Sequence, residues 1–239
     1  MFHVKQLPRT APQNEIPELN PRTKLRNGQK SMTAKEFQSI TGVDDRVIER
    51  LQVYAQLLEK WQGAINLVGP DTMADVWGRH FLDSAQLAKY IGPDDVVADL
   101  GSGAGFPGMV LAIMGPEFGG GKKVHLLESD ERKSTFLSTV NRECQAGAEI
   151  HTGRIEKAKP IGADVVVARA LAPLEKLLGL ALPHRISTGK CLFLKGKSWR
   201  DELTIAQKHW NMPADTINTW PSITDKDACV IEIKDISPL

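Results

Sequence analysis

The segment VVADLGSGAGFPG holds the residue types and spacing best suited to chemistry. An apolar run, Val96–Leu100, passes Asp99 and then breaks into Gly101, Gly103, Gly105 and Gly108, with Ser102 between the first two. Glycine is required where a chain takes positive φ or where a ligand comes close to the backbone. Pro107 suits the first turn of a following helix. The pattern predicts strand, loop and helix around a crevice at the carboxyl end of a sheet, where α/β folds bind ligands. Glu128 follows the next apolar run, Lys123–Leu127. A carboxylate in that position accepts hydrogen bonds from both hydroxyls of an adenosine ribose.

The residues alone leave the ligand open. Gly103, Gly105 and Gly108 satisfy G-x-G-x-x-G, the fingerprint of nicotinamide and flavin sites, and a purely structural turn has the same composition. Two features favour S-adenosyl-L-methionine. The glycine series begins early, at Gly101, two residues after Asp99, and Phe106 with Pro107 crowds the space that a pyrophosphate needs at the helix start. Histidines offer no obvious acid–base group, since His125 and His151 fall in or near predicted strands and read as structural.

Two kinds of element must position this loop. Before it the rhythm is helical. Thr33 and Glu36 have capping-box spacing, Gly42 ends that short helix, and Asp44 caps a second. On the second helix Val47, Leu51, Tyr54, Leu58, Trp61 and Ile65 recur at steps of three and four, an amphipathic stripe. A third helix is predicted over residues 73–90. From Asp95 strands and helices alternate. Strands are expected at 96–100, 123–127, 149–152, 164–168, 191–194, 216–219 and 229–233, with helices at 132–143 and 174–182. This alternation predicts an α/β fold with a mostly parallel sheet. The last two strands lack a helix between them and are expected to form an antiparallel hairpin at the sheet edge. The boundaries predicted are a basic, proline-rich, disordered tail at 1–31, a helical subdomain at 32–93 and the cofactor-binding domain at 94–239.

Composition narrows the class. The chain has 239 residues, 41% hydrophobic and 25% charged, which is ordinary for a globular protein. No apolar run approaches the ~18–20 residues needed to span a bilayer, and the first residues lack the apolar core of a secretory signal. Cys144, Cys191 and Cys229 are few, odd in number and widely spaced, so neither a disulfide framework nor a zinc site is expected. A cytoplasmic location follows. The net charge is +1, but residues 1–30 carry six basic and two acidic side chains, so the rest of the chain is slightly acidic. Charge alone does not argue for a nucleic-acid partner.

The sequence also resembles the RsmG (GidB) family. The residues that carry the resemblance are NLVG (66–69), RHFLDS (79–84), DLGSGAGFPG (99–108), LLESDERKSTFL (126–137), GRIE (153–156), ARALAPL (168–174) and LFLKGK (192–197). They lie in the family's order across roughly residues 33–200. The tail before Thr33 falls outside the shared pattern, and Gly115–Lys123 is lengthened.

The resemblance implies a class I methyltransferase (Rossmann-like) fold with an N-terminal helical extension. It implies N7-methylation of a guanosine, guanosine 527, in the 530 loop of 16S ribosomal RNA, with S-adenosyl-L-methionine as cofactor. By motif, Gly101 and Phe106 line the donor pocket beside Asp99, Ser102, Gly103 and Gly105. Glu128 takes the ribose, Ile155 and Glu156 border the adenine, and Arg169 stands at the pocket mouth. The simpler readings are core positions for Phe106 and Ile155 and a Glu156–Arg169 ion pair. Arg79, His80, Lys195 and Lys197 are candidate RNA contacts, Trp199 and Arg200 flank the last two, and the tail's cations would add sequence-independent affinity. The partner expected is 16S ribosomal RNA or the small-subunit particle, bound by a monomer with no membrane and no metal. No catalytic residue is assigned, because the N7 lone pair carries no proton to remove. Two other readings remain: an NAD(P)-dependent oxidoreductase, and a non-catalytic ribosome-binding protein.

Overall fold

The computed structural model describes residues 31–239, so the expected disordered tail and its cations lie outside the described residues. Helix α1 (Ala34–Thr41) begins with the anticipated capping box. Thr33 Oγ1 accepts from the Glu36 amide at 3.2 Å, and Glu36 accepts from the Thr33 amide at 2.8 Å. Gly42 ends it at φ 71°. Helix α2 (Asp45–Gln62) starts at Asp44, whose carboxylate caps the Val47 amide, and it buries Val47, Leu51, Tyr54 and Leu58 along its stripe.

The third predicted helix is the first departure. Pro70–Asp75 is a 3-10 turn, Trp77–Leu82 a π-helical turn, Asp83–Ala85 a short α3, and Ala88–Tyr90 another 3-10 turn. The Asp75 carboxylate accepts from the Met32 and Gly78 amides, tying the segment to the start of the helical layer. Every residue from Trp77 to Leu82 except Arg79 is buried, which a single face of a regular helix does not allow. Widened turns of this kind recur at functional sites.

The sheet is mostly parallel, as expected. Its strands are β1 (Val96–Leu100), β2 (Lys123–Glu128), β3 (Glu149–Thr152), β4 (Ala163–Arg169), β5 (Arg185–Lys195), β7 (Ile217–Pro221) and β8 (Cys229–Ile233), in the order β3-β2-β1-β4-β5-β8-β7. The first five run parallel. Strands β7 and β8 form the anticipated antiparallel hairpin at one edge, and β8 runs antiparallel to β5. Strand β5 starts six residues earlier than predicted. Its first half, RISTGK, has no apolar run, and the Arg185 guanidinium holds it by donating to the Ser187, Gly189 and Lys234 carbonyls. A two-strand pair, β6 (Trp210–Asn211) with β9 (Ser237–Pro238), was not anticipated. The lengthened Gly115–Lys123 stretch is a folded turn in which the Gly120 amide donates to Gly115 O and Lys122 to Asp95 O.

Helices α4 (Gly108–Met114), α5 (Glu131–Glu143), α6 (Leu174–Ala181) and α7 (Trp199–Ala206) cover the sheet. Side chains alternate across the strands. One face, with Val97, Leu126 and Val167, packs against α1, α2, the π turn, α4 and α5. The other, with Ala98, Leu100 and Val166, packs against α6 and the Phe193 side of β5. Beside β1 the chain leaves in opposite directions, to β2 on one side and β4 on the other, which opens a crevice at the carboxyl ends of the three strands.

That crevice depends on close packing behind it. A Cβ on Gly108 would lie 2.6 Å from Asp99 Cβ and nearer still to Leu126 Cδ2, whereas one on Gly63 would meet nothing within 4 Å. Overpacking costs about 1–3 kcal/mol. Gly108→Ala should therefore destabilise the fold by about that amount in urea denaturation, and Gly63→Ala should leave it unchanged or slightly firmer.

Candidate functional site

The glycine loop is held from four sides. The Ser102 amide donates to Leu127 O at 3.1 Å, and the Gly103 amide donates to Glu128 Oε2 at 2.8 Å. The Gly108 amide donates to Asp99 Oδ2 at 3.0 Å. The Tyr54 hydroxyl, from α2, donates to Ala104 O. Gly105 sits at φ 98°, and a Cβ there would run into Tyr54, Met109 and Leu137, so only glycine fits between the helical layer and the sheet. Glu128 spends one lone pair of each oxygen on an amide, Gly103 on one side and Asp130 at 2.8 Å on the other. An ionised carboxylate accepts about four bonds, so further capacity remains on the cavity side.

Two cavities open from this loop. The first, of about 490 Å³, is lined by Gly101, Ser102, Gly103, Phe106, Glu128, Ile155, Glu156 and Arg169. The structure thus brings eight of the ten expected cofactor-site residues to one cavity. Asp99 and Gly105 are the exceptions. Asp99 is fully buried behind the loop, where it holds Gly108 rather than a ligand, and Gly105 is a packing position. Sequence reasoning missed the other wall. Leu67 and Val68 of the helical layer close it, and Lys133 and Arg154 add cations. Leu67 and Val68 stand in NLVG, whose motif was visible although its role was not.

The second cavity, of about 580 Å³, shares Leu67, Val68, Arg169 and Leu171 with the first and continues past Thr72, Arg79, His80 and Asp83 to Thr224 and Asp225. Arg169 stands at the junction. Its Nη1 donates to Asp83 Oδ2 at 3.1 Å and to Arg79 O at 3.2 Å, and its Nη2 contacts His80 Nδ1 at 3.0 Å. The guanidinium lies 4.8 Å from the Phe106 ring centre, and the His80 ring stacks on the same ring at 4.8 Å and 14°. An Arg169–Glu156 pair is therefore replaced by Arg169–Asp83.

His80 is 6% exposed. Burial, followed by the charges of Arg169 and Arg79, pushes its pKa down to about 3, so the ring is neutral. Arginine has no acceptor, so Nδ1 accepts from Arg169 and Nε2–H donates to Thr72 Oγ1 at 2.9 Å.

Two expected RNA contacts need correction. His80 faces inward as a brace for Arg169 and Phe106. Lys195 is 8% exposed, and its Nζ is bound by the Glu202 carboxylate and by Ala172 O. Its hydrocarbon stem and partner line the second cavity, but its charge is spent internally. Arg79 and Lys197 are exposed, Arg79 beside Asp225 at 3.6 Å. Trp199 begins α7 instead of a loop, and Arg200 lies over its ring at 4.3 Å.

Known proteins resemble this chain over most of its length. The family model described as rRNA small subunit methyltransferase G matches residues 47–230. The ribosomal RNA small subunit methyltransferase G of Paramagnetospirillum magneticum is 50% identical over 208 residues, 86% of this chain and 97% of that protein. The protein of the same name from Rhodospirillum centenum is 47% identical over 211 residues, 87% of this chain and 93% of that one.

Burial pushes the Asp99 carboxyl up to about 7, against the bond from the Gly108 amide, which lowers it. The unfolded value is near 3.9, so between about pH 4 and 7 the unfolded chain loses this proton before the folded one. Stability from this group is therefore greatest in acid, falls through that window and levels off above it. In urea denaturation at several pH values, Asp99→Asn should lack this component, so it gains on the parent protein as pH rises from about 4 to 7. Parallel pH profiles would contradict the assignment.

Proposed function

The chain belongs to the rRNA small subunit methyltransferase G family, and from that premise we propose that it transfers a methyl group from S-adenosyl-L-methionine to N7 of guanosine 527 in the 530 loop of 16S ribosomal RNA. Its fold is that of a class I methyltransferase. The observation that carries the reading is the meeting of two cavities at Arg169, one walled by the glycine loop and Glu128 and the other opening past the exposed Arg79.

The residues present fit the donor. A cavity of about 490 Å³ is within the size range of small-molecule sites. Glu128 would take the ribose hydroxyls with its unspent acceptor capacity. Ile155 and Leu127 would flank the adenine, with Glu156 at its edge. Gly101 and Gly103 expose backbone where side chains would block the amino-acid portion. When bound, S-adenosyl-L-methionine supplies an electrophilic sulfonium methyl group.

Guanine N7 presents a lone pair without a proton, so no base has to act. The site's own groups are consistent with that: both His80 nitrogens are engaged and the ring stays neutral. The work left to the chain is alignment, which supplies up to about 7–11 kcal/mol of a barrier, and exclusion of water by Phe106, Leu67 and Val68. Asp83 offsets the Arg169 charge at the junction, which favours a product base that becomes cationic. Arg79, Lys197 and Arg200 would meet phosphate, and the Trp199 ring under Arg200 would support stacking of an unpaired base. The protein would act as a cytoplasmic monomer, and among the described residues no helix is long and apolar enough to cross a membrane.

The test is incubation of the full chain with methyl-labelled donor and either 16S rRNA or small subunits, followed by mapping of the label. Label on N7 of guanosine 527 is expected. Label on another atom ends the specific proposal, and binding without transfer favours a non-catalytic ribosome-binding role. In calorimetry adenosylhomocysteine should bind and NAD should not, with the reverse favouring an oxidoreductase. A hydrogen bond to a charged group contributes about 1.5–3 kcal/mol. Glu128→Ala should therefore weaken adenosylhomocysteine roughly 10- to 100-fold, while thermal denaturation of the same variant shows how far the loop itself is loosened.

A further inference from the structure

Strands β2 and β3 pair in parallel, with His125 beside Glu149 and Leu127 beside His151. Because side chains alternate, His125, Glu149 and His151 share one face of this strand pair. Leu126 and Ile150, between them in sequence, pack against α5 on the opposite face. The connection from β3 to β4 contains only the short turn Ile155–Lys157, so no long helix follows β3 to cover that face. The three side chains converge there. His125 Nδ1 lies 2.9 Å from His151 Nε2, and these nitrogens lie 3.9 and 3.7 Å from the two Glu149 oxygens.

We propose that His125, Glu149 and His151 form a surface site for one divalent transition-metal ion of the zinc type. The ligands are His125 Nδ1, His151 Nε2 and one Glu149 carboxylate oxygen, and solvent completes the coordination. None of the three lines either cavity described above, so the site is separate from the transferase centre. Ligand bonds of about 2.0–2.1 Å in a tetrahedron place donor atoms about 3.3–3.4 Å apart. The two nitrogens are 2.9 Å apart, each lies 3.7–3.9 Å from a different Glu149 oxygen, and the candidate ligand atoms all lie within 4.8 Å of one another, so rotation of the half-exposed Glu149 carboxylate and of the two rings brings three donor atoms onto one ion. The ring that carries the hydrogen shared by the two histidines moves it to its outer nitrogen, so binding needs no net proton loss. Two imidazoles and a carboxylate select zinc, cobalt, nickel or copper over magnesium or calcium. The ion would join edge strand β3 to β2.

A cation already competes at the carboxylate. Lys123 Nζ lies 2.6 Å from Glu149 Oε2, with both side chains about half exposed. This ammonium must yield or share the carboxylate when a metal binds, which limits affinity and supplies a test that a random surface histidine would not pass.

The experiment titrates the full chain with Co²⁺, followed by its visible ligand-field absorption, and then displaces it with Zn²⁺. One ion per chain is expected. His151→Gln and His125→Gln should each weaken it at least ~10-fold, and Lys123→Met should tighten it several-fold. His151 is the more exposed of the two histidines, so its variant carries the test if His125→Gln fails to fold. Zn²⁺ should also raise the melting temperature of the parent protein and not that of His151→Gln. Unchanged Co²⁺ binding in His151→Gln overturns the proposal. So do sulfur-to-cobalt charge-transfer bands, which would put the ion on a cysteine, and weaker binding in Lys123→Met.

Discussion

The rest of the site depends on one close fit, the wedging of the glycine loop between the end of β1 and the N-terminal helical layer. Asp99 holds the head of α4 from within the sheet, through the Gly108 amide. Tyr54 holds the loop from outside, through the Ala104 carbonyl, and its ring stacks on Phe106 at 5.5 Å. Neither contact is made to a ligand. Together they set the direction of the Gly101–Gly105 backbone, and through Gly103 they orient Glu128. The helical extension is therefore part of the binding site's frame. It buries Phe37, Tyr54, Leu58 and Phe81 in the same core as Phe106, Met109 and Leu126.

Phe106 is where this frame meets the second cavity. One side of its surroundings is Tyr54, and the other is His80 and Arg169. The Arg169–Asp83 pair is largely shielded from solvent. Such pairs add little net stability, because desolvation offsets attraction, but breaking one side is costly. Its effect is to fix a planar cation in one orientation at the boundary between the cavities. His80 supports that orientation because it cannot protonate there. An imidazolium would face the guanidinium at 3.0 Å with both groups positive. A neutral acceptor is the only form compatible with the contact, which fits the depressed pKa.

Much of the fold was legible because its signals are local. The capping box at Thr33 and Glu36, the stripe on α2, and the apolar runs of β1, β2 and β8 each depend on residues a few positions apart. The glycine loop was legible for the same reason. Other features depend on contacts distant in sequence. A helical period runs through residues 73–90, yet burial of almost every residue from Trp77 to Leu82 demands a π turn. The polar start of β5 becomes a strand because Arg185 bridges to carbonyls as far away as Lys234. Lys195 looks like a free cation until Glu202, one helix later, is seen to claim it. His125 and His151 read as isolated strand residues, and only the parallel register of β2 and β3 brings them together.

The same reasoning explains why the motifs expose the first cavity more clearly than the second. The first is made largely by consecutive strand ends, where β1, β2, β3 and β4 present their following loops in a fixed order. The second is assembled from four distant regions. Thr72, His80 and Asp83 come from the irregular helical segment, Arg169 from the end of β4, Lys195 and Glu202 from the end of β5 and from α7, and Thr224 and Asp225 from the turn between β7 and β8. They are stitched together by polar contacts. Asp83 accepts from Arg169 and Thr224, Gln86 reaches Ser222 and Ile223, and Arg79 pairs with Asp225. RHFLDS can supply these contacts because its turn sends Arg79 outward and His80 inward from adjacent positions. A macromolecular acceptor needs such a surface, shaped by several chain segments and open to solvent, whereas a small cofactor can be enclosed by one sheet edge. The second cavity is thus a property of how four segments meet, and that meeting is set by packing around Phe106 and Arg169.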